Sequence, residues 1–190
     1  MSDQVVPPHL GGSENFTHCD EGALNCIINK FNIKSFLDIG CGPGWMVKMA
    51  QEKGLDALGV DGDFTVIPPK EIKDRHIIHD FSLGPWIPPR KFDLAWTVEF
   101  VEHVECRYVS NFVEPMKHCK YIIMTHAIPH QPGHHHVNCR DEEYWVNVIE
   151  AFGFMVDVDT TNEVRKSSTM EEKYMRQQSL FFRNLNYTDS

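Results

Sequence analysis

The feature that most constrains the fold of this chain is a short apolar run that breaks into three alternating glycines. The run Phe36–Ile39 is followed by Gly40, Gly42 and Gly44. A buried strand that ends in Gly-x-Gly-x-Gly lets bare backbone approach a ligand, because glycine has no Cβ. The amphipathic segment Trp45–Ala50 predicts a helix whose first N–H groups point at the same place. Strand, turn and helix together predict a nucleotide-type cofactor site.

The spacing of the glycines narrows the choice of cofactor. The dinucleotide fingerprint has glycine at its first, third and sixth positions, whereas here Gly44 occupies the fifth position and Trp45 the sixth. Asp38 precedes the turn, where its charge would repel a pyrophosphate and attract a cation. S-adenosylmethionine carries an ammonium and a sulfonium group and no phosphate. The residues therefore favour S-adenosylmethionine over NAD.

At this point the chain resembles the class I S-adenosylmethionine-dependent methyltransferases, whose first motif is an acidic residue followed by Gly-x-Gly-x-Gly. The resemblance covers about residues 13–185. It implies a single-domain α/β fold, Rossmann-like and doubly wound, with seven mostly parallel strands of which the last is antiparallel. It also implies that the first motif contacts the cofactor through Asp38, Gly40, Cys41, Gly42, Gly44 and Trp45.

The order of predicted elements independently favours a parallel sheet. Apolar runs of strand length recur along the chain, and helical patterns separate most of them, which is typical of right-handed βαβ units. Asp20 is the predicted cap of a first helix, and another helix is predicted from about Asp141 to Phe152. The predicted strands cover residues 35–39, 57–61, 75–80, 91–98, 121–125, 154–158 and 179–182.

Acidic residues end the first three predicted strands, at Asp38, Asp61 and Asp80. In doubly wound sheets the ligand crosses the carboxyl ends of the strands. The position of Asp61, with Gly62 after it, suits two ribose hydroxyls, and Asp80 with Phe81 suits an adenine amino group and ring. By resemblance these residues match the second and third motifs of the family. Each acid alone is more often a helix cap or a solvated loop residue, but three beside one glycine turn favour a binding role.

The segment from Phe92 to Val104 contains Phe-Asp-Leu followed by Glu99-Phe-Val-Glu102-His103-Val. It resembles the fourth-strand motif of the small-molecule branch, which includes the ubiquinone-biosynthesis-like O-methyltransferases. The resemblance implies that Thr97 contacts the cofactor and that Glu99 faces the methyl-donor pocket. We expect Glu102 and His103 to brace the following helix.

A histidine-rich loop, residues 126–138, joins the fifth strand to the helix near Asp141. Its proline and glycine content opposes regular structure, and its titratable side chains suit contact with a substrate. Histidine is a natural base for an alcohol or phenol nucleophile. The alternative is a surface loop whose imidazoles cap the next helix. Candidate bases are His126, His130, His136 and Glu99. A metal site is a further option, since His126, His130, His134 and His136 could converge, but without a second ligand pair of fixed spacing no native metal site is predicted.

Composition limits the function classes. The net charge of −9 disfavours nucleic acid as the main partner. No apolar stretch reaches membrane-span length, the first residues do not resemble a signal peptide, and six scattered cysteines suggest reduced thiols. We expect a cytoplasmic monomer or homodimer with no membrane association. The predicted organisation is a loose leader over residues 1–18 and a methyltransferase domain over 19–185.

The expected activity is methyl transfer from S-adenosylmethionine to an oxygen or nitrogen of a small-molecule or sugar acceptor. Two alternatives stay open. One is a catalytically inactive S-adenosylmethionine-binding partner or regulatory protein. The other is a different S-adenosylmethionine-consuming enzyme on the same fold, such as an aminopropyl transferase, although an acidic polyamine pocket is not evident.

Overall fold

The computed structural model describes residues 6–12 and 15–188 and places seven strands in one sheet. The spatial order is β3-β2-β1-β4-β5-β7-β6, and every neighbouring pair is parallel except for β7, which is antiparallel to both β5 and β6. The strands are β1 (Ser35–Ile39), β2 (Asp56–Asp61), β3 (His76–Ile78), β4 (Phe92–Thr97), β5 (Cys119–Thr125), β6 (Phe154–Val156) and β7 (Ser179–Asn184).

Within the described ranges, six α-helices cover the two faces of this sheet. Three of them begin at an aspartate whose carboxylate accepts a hydrogen bond from the backbone N–H three residues later: Asp20, Asp141 and Asp157. Such caps satisfy N–H groups that have no partner inside the helix. The helices are α1 (Glu21–Phe31), α2 (Trp45–Glu52), α3 (Val109–Met116), α4 (Glu142–Ala151), α5 (Val158–Ser167) and α6 (Tyr174–Gln178).

Two apolar clusters, one on each side of the sheet, form the core. Phe112 of α3 and Trp145 of α4 are fully buried in one cluster. Leu24 of α1, Val47 of α2 and Val164 of α5 are fully buried in the other. Burying apolar surface on both faces is the main driving force that holds such a sheet together. It also holds the carboxyl ends of the strands in fixed relative positions.

The predicted fold class is confirmed, including the single antiparallel strand. The main difference lies at β3, which spans only His76–Ile78 instead of residues 75–80. No α-helix joins β3 to β4; residues 79–91 form turns and irregular structure. Three prolines in this connection remove backbone donors and oppose a helix.

Part of the predicted leader lies outside the described residues, namely residues 1–5, 13 and 14. Its described part, residues 6–12 and 15–18, contains turns and irregular backbone without helix or strand. The boundary at residue 18 stays a prediction. Among the described residues, no helix combines the length and the apolar character that crossing a membrane requires.

Candidate functional site

The glycine turn after β1 needs glycine for conformational and steric reasons. Gly40 has φ +77°, Gly42 +52° and Gly44 +87°, values that are costly for residues with a Cβ. A Cβ on Gly40 would lie 2.2 Å from the ring of Phe100. The backbone N–H of Gly40 donates to the Val60 carbonyl at 2.9 Å, which fixes the turn against β2. The turn therefore presents bare backbone at the carboxyl edge of the sheet.

A cavity of about 540 Å³ lies at this edge. Ten of the predicted site residues line it, which brings most of the proposed donor site together with part of the proposed catalytic set. These ten are Asp38, Gly40, Cys41, Gly42, Asp61, Gly62, Asp80, Phe81, Glu99 and His136.

Asp38 lies at the floor of the cavity with only 2% of its surface exposed. Its Oδ2 has no hydrogen-bond partner among the described residues. Burial, followed by the nearby charge of Asp61, raises the pKa of Asp38 well above its usual value. A buried carboxylate with a free oxygen is suited to a cationic group, which would restore the ionised form. This arrangement fits the ammonium end of S-adenosylmethionine.

Asp61 connects the ends of two neighbouring strands. Its carboxylate accepts hydrogen bonds from the backbone N–H groups of Gly42, at 2.7 Å, and Asp63, at 2.8 Å. Burial nevertheless raises the pKa of Asp61. Each carboxylate oxygen has a second lone pair, so the side chain keeps acceptor capacity for hydroxyl groups in the cavity.

Asp80 and the leader meet at the third strand end. His9 Nε2 lies 2.9 Å from Asp80 Oδ2, and the backbone N–H of Ser82 donates to Oδ1 at 2.8 Å. Burial acts to raise the pKa of Asp80, but these hydrogen bonds outweigh it and the net shift is downward. A Cβ on Gly62 would lie 2.6 Å from the Leu10 side chain. The leader thus covers the part of the cavity that is predicted to hold adenine.

Glu99 lies across the cavity, directly after β4, with φ +54°. The Thr125 hydroxyl donates to Glu99 Oε1 at 3.0 Å and accepts from the Glu99 backbone N–H at 2.8 Å. Burial raises the pKa of Glu99 to about 7; the hydrogen bond from Thr125 opposes this rise and the charge of Glu172 adds to it. A carboxyl group with such a pKa can exchange a proton near neutral pH.

The histidine-rich loop is attached to the segment after β4 by backbone hydrogen bonds. The carbonyl oxygen of Glu102 accepts from the N–H groups of Val137 and Asn138, both at 3.0 Å. The side-chain amide of Asn138 donates to the Val104 carbonyl at 3.1 Å. These contacts bring His136 to the cavity although it lies far from Glu99 in the sequence.

Five predicted site residues do not line the cavity, and their roles stay predictions. Gly44 caps α2, and Trp45, the first residue of that helix, is 42% exposed. Thr97 is fully buried in β4. His126 is buried, with its Nδ1 3.0 Å from the Arg140 carbonyl oxygen. His130 is exposed.

Sequence reasoning missed several residues that line the cavity: His9, Leu10, Phe100, His103, Tyr108 and Tyr174. Most lie in irregular segments, where no periodic pattern indicates position. The expected bracing role of His103 is not what the structure shows, since its ring contacts the histidine-rich loop through the His134 carbonyl at 2.7 Å. The one sequence signal that could have indicated a role for His103 at the cavity was its position next to Glu102 and close to Glu99.

Comparison with known proteins identifies the family to which this chain belongs. A profile of the methyltransferase domain matches residues 19–137, more than half of the chain. The chain belongs to this methyltransferase family. The match and the fold confirm the predicted class I methyltransferase, a class whose methyl donor is S-adenosylmethionine. No curated protein matches the sequence at a significant level.

Solved methyltransferase structures share the fold at low sequence identity. A TehB-like S-adenosylmethionine-dependent methyltransferase from Corynebacterium glutamicum is 16% identical, with a TM-score of 0.63 over 86% of this chain and 87% of that one. The 1,6-didemethyltoxoflavin N1-methyltransferase of Burkholderia thailandensis, solved with its substrate and S-adenosylhomocysteine, is 14% identical, with a TM-score of 0.62 over 87% and 78%. Magnesium protoporphyrin IX methyltransferase from Synechocystis is 12% identical, with a TM-score of 0.54 over 84% and 78%. The ubiquinone-biosynthesis branch is not specifically supported.

Proposed function

We propose that the protein transfers a methyl group from S-adenosylmethionine to an oxygen or nitrogen of a small-molecule or sugar acceptor. The observation that carries the proposal is the single cavity in which the glycine turn and strand-end acids face Glu99 and His136. A donor site alone would serve a binding protein. A transfer reaction also needs a base for the acceptor's proton, and the titratable side chains of Glu99 and His136 line the same cavity.

On the donor side, each proposed contact has a matching local geometry. The unpartnered oxygen of Asp38 would face the ammonium group, and the glycine backbone would lie along the ligand. Asp61 would accept from the ribose hydroxyls. Asp80 would accept from the adenine amino group and Phe81 would pack on the ring. S-adenosylmethionine, when bound, supplies a methyl carbon that is already activated by its sulfonium.

The chain itself mainly has to orient the acceptor and exclude water. In the transfer, the acceptor oxygen or nitrogen forms a bond to the methyl carbon while the carbon–sulfur bond breaks, leaving a neutral thioether. The acceptor proton passes to a base. Glu99 and His136 are the predicted bases that line the cavity. Holding the two reactants in line can supply much of the rate enhancement. The leader residues over the cavity would limit access of water.

Several observations support a small acceptor in a reducing compartment. The net charge of −9 disfavours a polyanionic acceptor. Two of the structural neighbours are named for small-molecule substrates, didemethyltoxoflavin and magnesium protoporphyrin IX. All six cysteines are free thiols, which suits the cytoplasm. We propose that the protein acts there as a monomer or homodimer.

Product analysis tests the proposal. The purified protein is incubated with S-adenosylmethionine and a panel of hydroxyl- and amine-bearing metabolites, and products are followed by mass spectrometry. We expect S-adenosylhomocysteine together with an acceptor heavier by one methylene unit. Formation of methylthioadenosine would show a different reaction. Tight cofactor binding without consumption across the panel would favour the inactive binding protein.

Two matched variants connect the activity to the site. Asp61→Asn changes the strand-end carboxylate in the cavity, and Asp56→Asn changes an exposed carboxylate at the start of the same strand, β2. We expect Asp61→Asn to reduce S-adenosylhomocysteine formation strongly and Asp56→Asn to leave it close to wild type. Equal activity of the two variants would contradict the assignment of the donor site.

A further inference from the structure

We infer that Glu102, His103 and His136 form a binding site for a divalent transition-metal ion beside the methyl-donor site. The inference deepens the proposed function, on which its catalytic part rests, because the ion would bind the acceptor oxygen. It differs from the expectation, drawn from the sequence, that no native metal site is present.

The three side chains converge although His136 is distant in the sequence. One donor atom from each lies within 4.8 Å of the others, and this is the one such group of three found among the described residues. Donor atoms about 2.1 Å from one metal ion lie roughly 3 to 4 Å apart, so small side-chain rotations would complete the site. The imidazole rings of His103 and His136 have their centroids 5.0 Å apart.

Glu102 supplies a second, independent observation. It is 0% exposed, and neither carboxylate oxygen has a hydrogen-bond partner among the described residues. A buried carboxylate without a partner is costly. A divalent cation would provide the missing counter-charge and ligand bonds.

Both histidines have the hydrogen bonding of metal ligands. His103 Nδ1 lies 2.7 Å from the His134 carbonyl oxygen, and His136 Nδ1 lies 3.0 Å from the Gln131 carbonyl oxygen. Because a carbonyl only accepts, Nδ1 of each ring carries a proton, which leaves Nε2 as the nitrogen that can bind a metal ion. Metal-bound histidines commonly donate their other N–H to a carbonyl or carboxylate in this way.

The loop around His136 is shaped to fit this ring. A Cβ on Gly133 would lie 2.1 Å from His136 Nε2. The backbone of Glu102 also holds the following residues, Val137 and Asn138. The same backbone segment therefore fixes the carboxylate and the loop that brings the second imidazole.

The donor set indicates the metal and its role. Two imidazoles and one carboxylate suit Zn²⁺, Mn²⁺, Fe²⁺ or Co²⁺, and three protein ligands leave coordination positions open. His103 and His136 line the same cavity as the glycine turn. An acceptor hydroxyl at an open position would become more acidic. Its proton passes to Glu99, its oxygen forms the bond to the methyl carbon, and the carbon–sulfur bond breaks to leave a neutral thioether.

Mn²⁺ binding tests the inference without requiring turnover. The protein is saturated with S-adenosylhomocysteine, and Mn²⁺ is titrated while free Mn²⁺ is measured by electron paramagnetic resonance. We expect one ion per chain in the wild type and an affinity at least about tenfold lower in Glu102→Gln and in His103→Ala. His130→Asn is the matched control, because His130 lies exposed in the same loop and asparagine tolerates its φ of +69°.

The outcomes separate the metal site from the donor site and from surface binding. S-adenosylhomocysteine binding, measured first for each variant, reports whether the donor site is intact. Absence of Mn²⁺ binding in a protein that binds S-adenosylhomocysteine overturns the metal site alone. Mn²⁺ binding that survives both ligand substitutions, or is lost in His130→Asn, overturns it as well, since the ion would then be bound by the loop surface.

Thermal unfolding provides a second readout for Glu102→Gln, which keeps the shape of the side chain. Without metal, we expect this variant to unfold at the same temperature as wild type or higher, because it removes a buried carboxyl group without partners. With Mn²⁺, only the wild type should gain stability. A variant that gains as much as the wild type would contradict the assigned ligand set.

Discussion

The two sides of the cavity are built in different ways. The donor side consists of regular strand ends and a glycine turn, and Asp61 and Asp80 accept hydrogen bonds from neighbouring backbone. The acceptor side consists of the irregular segment after β4 and a loop attached to it, and Glu102 there has no partner for its carboxylate among the described residues. Backbone geometry defines the first side, whereas converging side chains define the second.

This difference explains what each side can recognise. A site defined by strand ends and backbone suits an invariant ligand such as a common methyl donor, because the sheet fixes its shape. A site defined by side chains on loops can change without disturbing the sheet, and therefore suits the choice of acceptor. We expect substitutions on the donor side to affect stability and cofactor binding together, and substitutions on the acceptor side to affect metal binding and turnover alone.

Gly40→Ala should have the largest effect of these substitutions, on both the stability of the fold and the binding of S-adenosylhomocysteine. The new Cβ would be 2.2 Å from Phe100 at a φ of +77°, and left-handed strain plus overpacking costs about 2 to 5 kcal/mol. We expect a lower unfolding midpoint in urea and no measurable S-adenosylhomocysteine binding by calorimetry. Gly54→Ala is the control, since Gly54 has φ +82° but open space around its Cβ position. Similar losses in both variants would show that strain alone, rather than the close approach to Phe100, matters.

Asp61→Asn should have the next largest effect, on the affinity for S-adenosylhomocysteine. The amide offers one acceptor oxygen in place of two, so one of the N–H groups of Gly42 and Asp63 loses its partner. The amide is also uncharged and offers fewer acceptor positions to the proposed ribose hydroxyls, and loss of a hydrogen bond to a charged group costs about 1.5 to 3 kcal/mol, or roughly 10- to 100-fold in S-adenosylhomocysteine affinity. Calorimetric titration measures it, and Mn²⁺ binding should be retained. Loss of Mn²⁺ binding as well would show that the two sides are not independent.

Gly133→Ala tests the acceptor side with an equally small change. The added methyl group would collide with His136 Nε2, but the exposed loop can shift, so the fold should tolerate it. We expect about tenfold weaker Mn²⁺ binding and unchanged affinity for S-adenosylhomocysteine. Gly84→Ala is the control for adding a methyl group to a loop glycine: its Cβ would meet open space, although its φ of +146° adds backbone strain that Gly133→Ala does not have. Wild-type Mn²⁺ binding in Gly133→Ala would indicate that His136 is not a ligand.

Asp38→Asn should change the pH dependence of cofactor binding more clearly than its affinity at one pH. The pKa of Asp38 is raised in the folded protein, so the folded state keeps a proton that the unfolded state loses, and the free energy of unfolding falls as pH rises between the two pKa values. A cationic ligand would displace this proton, so affinity should rise with pH and level off above the folded-state pKa.

Titrations in buffers of different ionisation enthalpy should show release of up to about one proton in wild type and none in Asp38→Asn. Equal release in both would exclude Asp38 as its source.

The sequence was sufficient to predict that most of the proposed donor-side residues meet at one edge of the sheet, because their signals are local. Glycines on alternate positions indicate a tight turn, acids at strand ends indicate contacts at the carboxyl edge of the sheet, and the strand pattern determines where the two meet. It was also sufficient for the sheet, including the antiparallel β7. The strands themselves follow from short-range periodicity, whereas the antiparallel direction of β7 was implied by the family resemblance.

The acceptor side could not be predicted in the same way. The proximity of Glu102 and His136 depends on backbone hydrogen bonds from Val137 and Asn138 across an irregular loop, and no periodicity encodes them. His126 and His130 were equally reasonable candidates by residue type, yet neither lines the cavity. His9 reaches Asp80 from a leader that was expected to be loose.

The most direct test of the two-sided cavity is the distance between its two proposed ligands. S-adenosylmethionine carrying a ¹³C-labelled methyl group is bound without acceptor, and the methyl signal is followed by nuclear magnetic resonance as Mn²⁺ is added. The account predicts strong paramagnetic broadening in the wild type and in His130→Asn, and a sharp signal at the same Mn²⁺ concentration in His103→Ala. A methyl signal that stays sharp while both ligands are bound, or that broadens equally in His103→Ala, would contradict it.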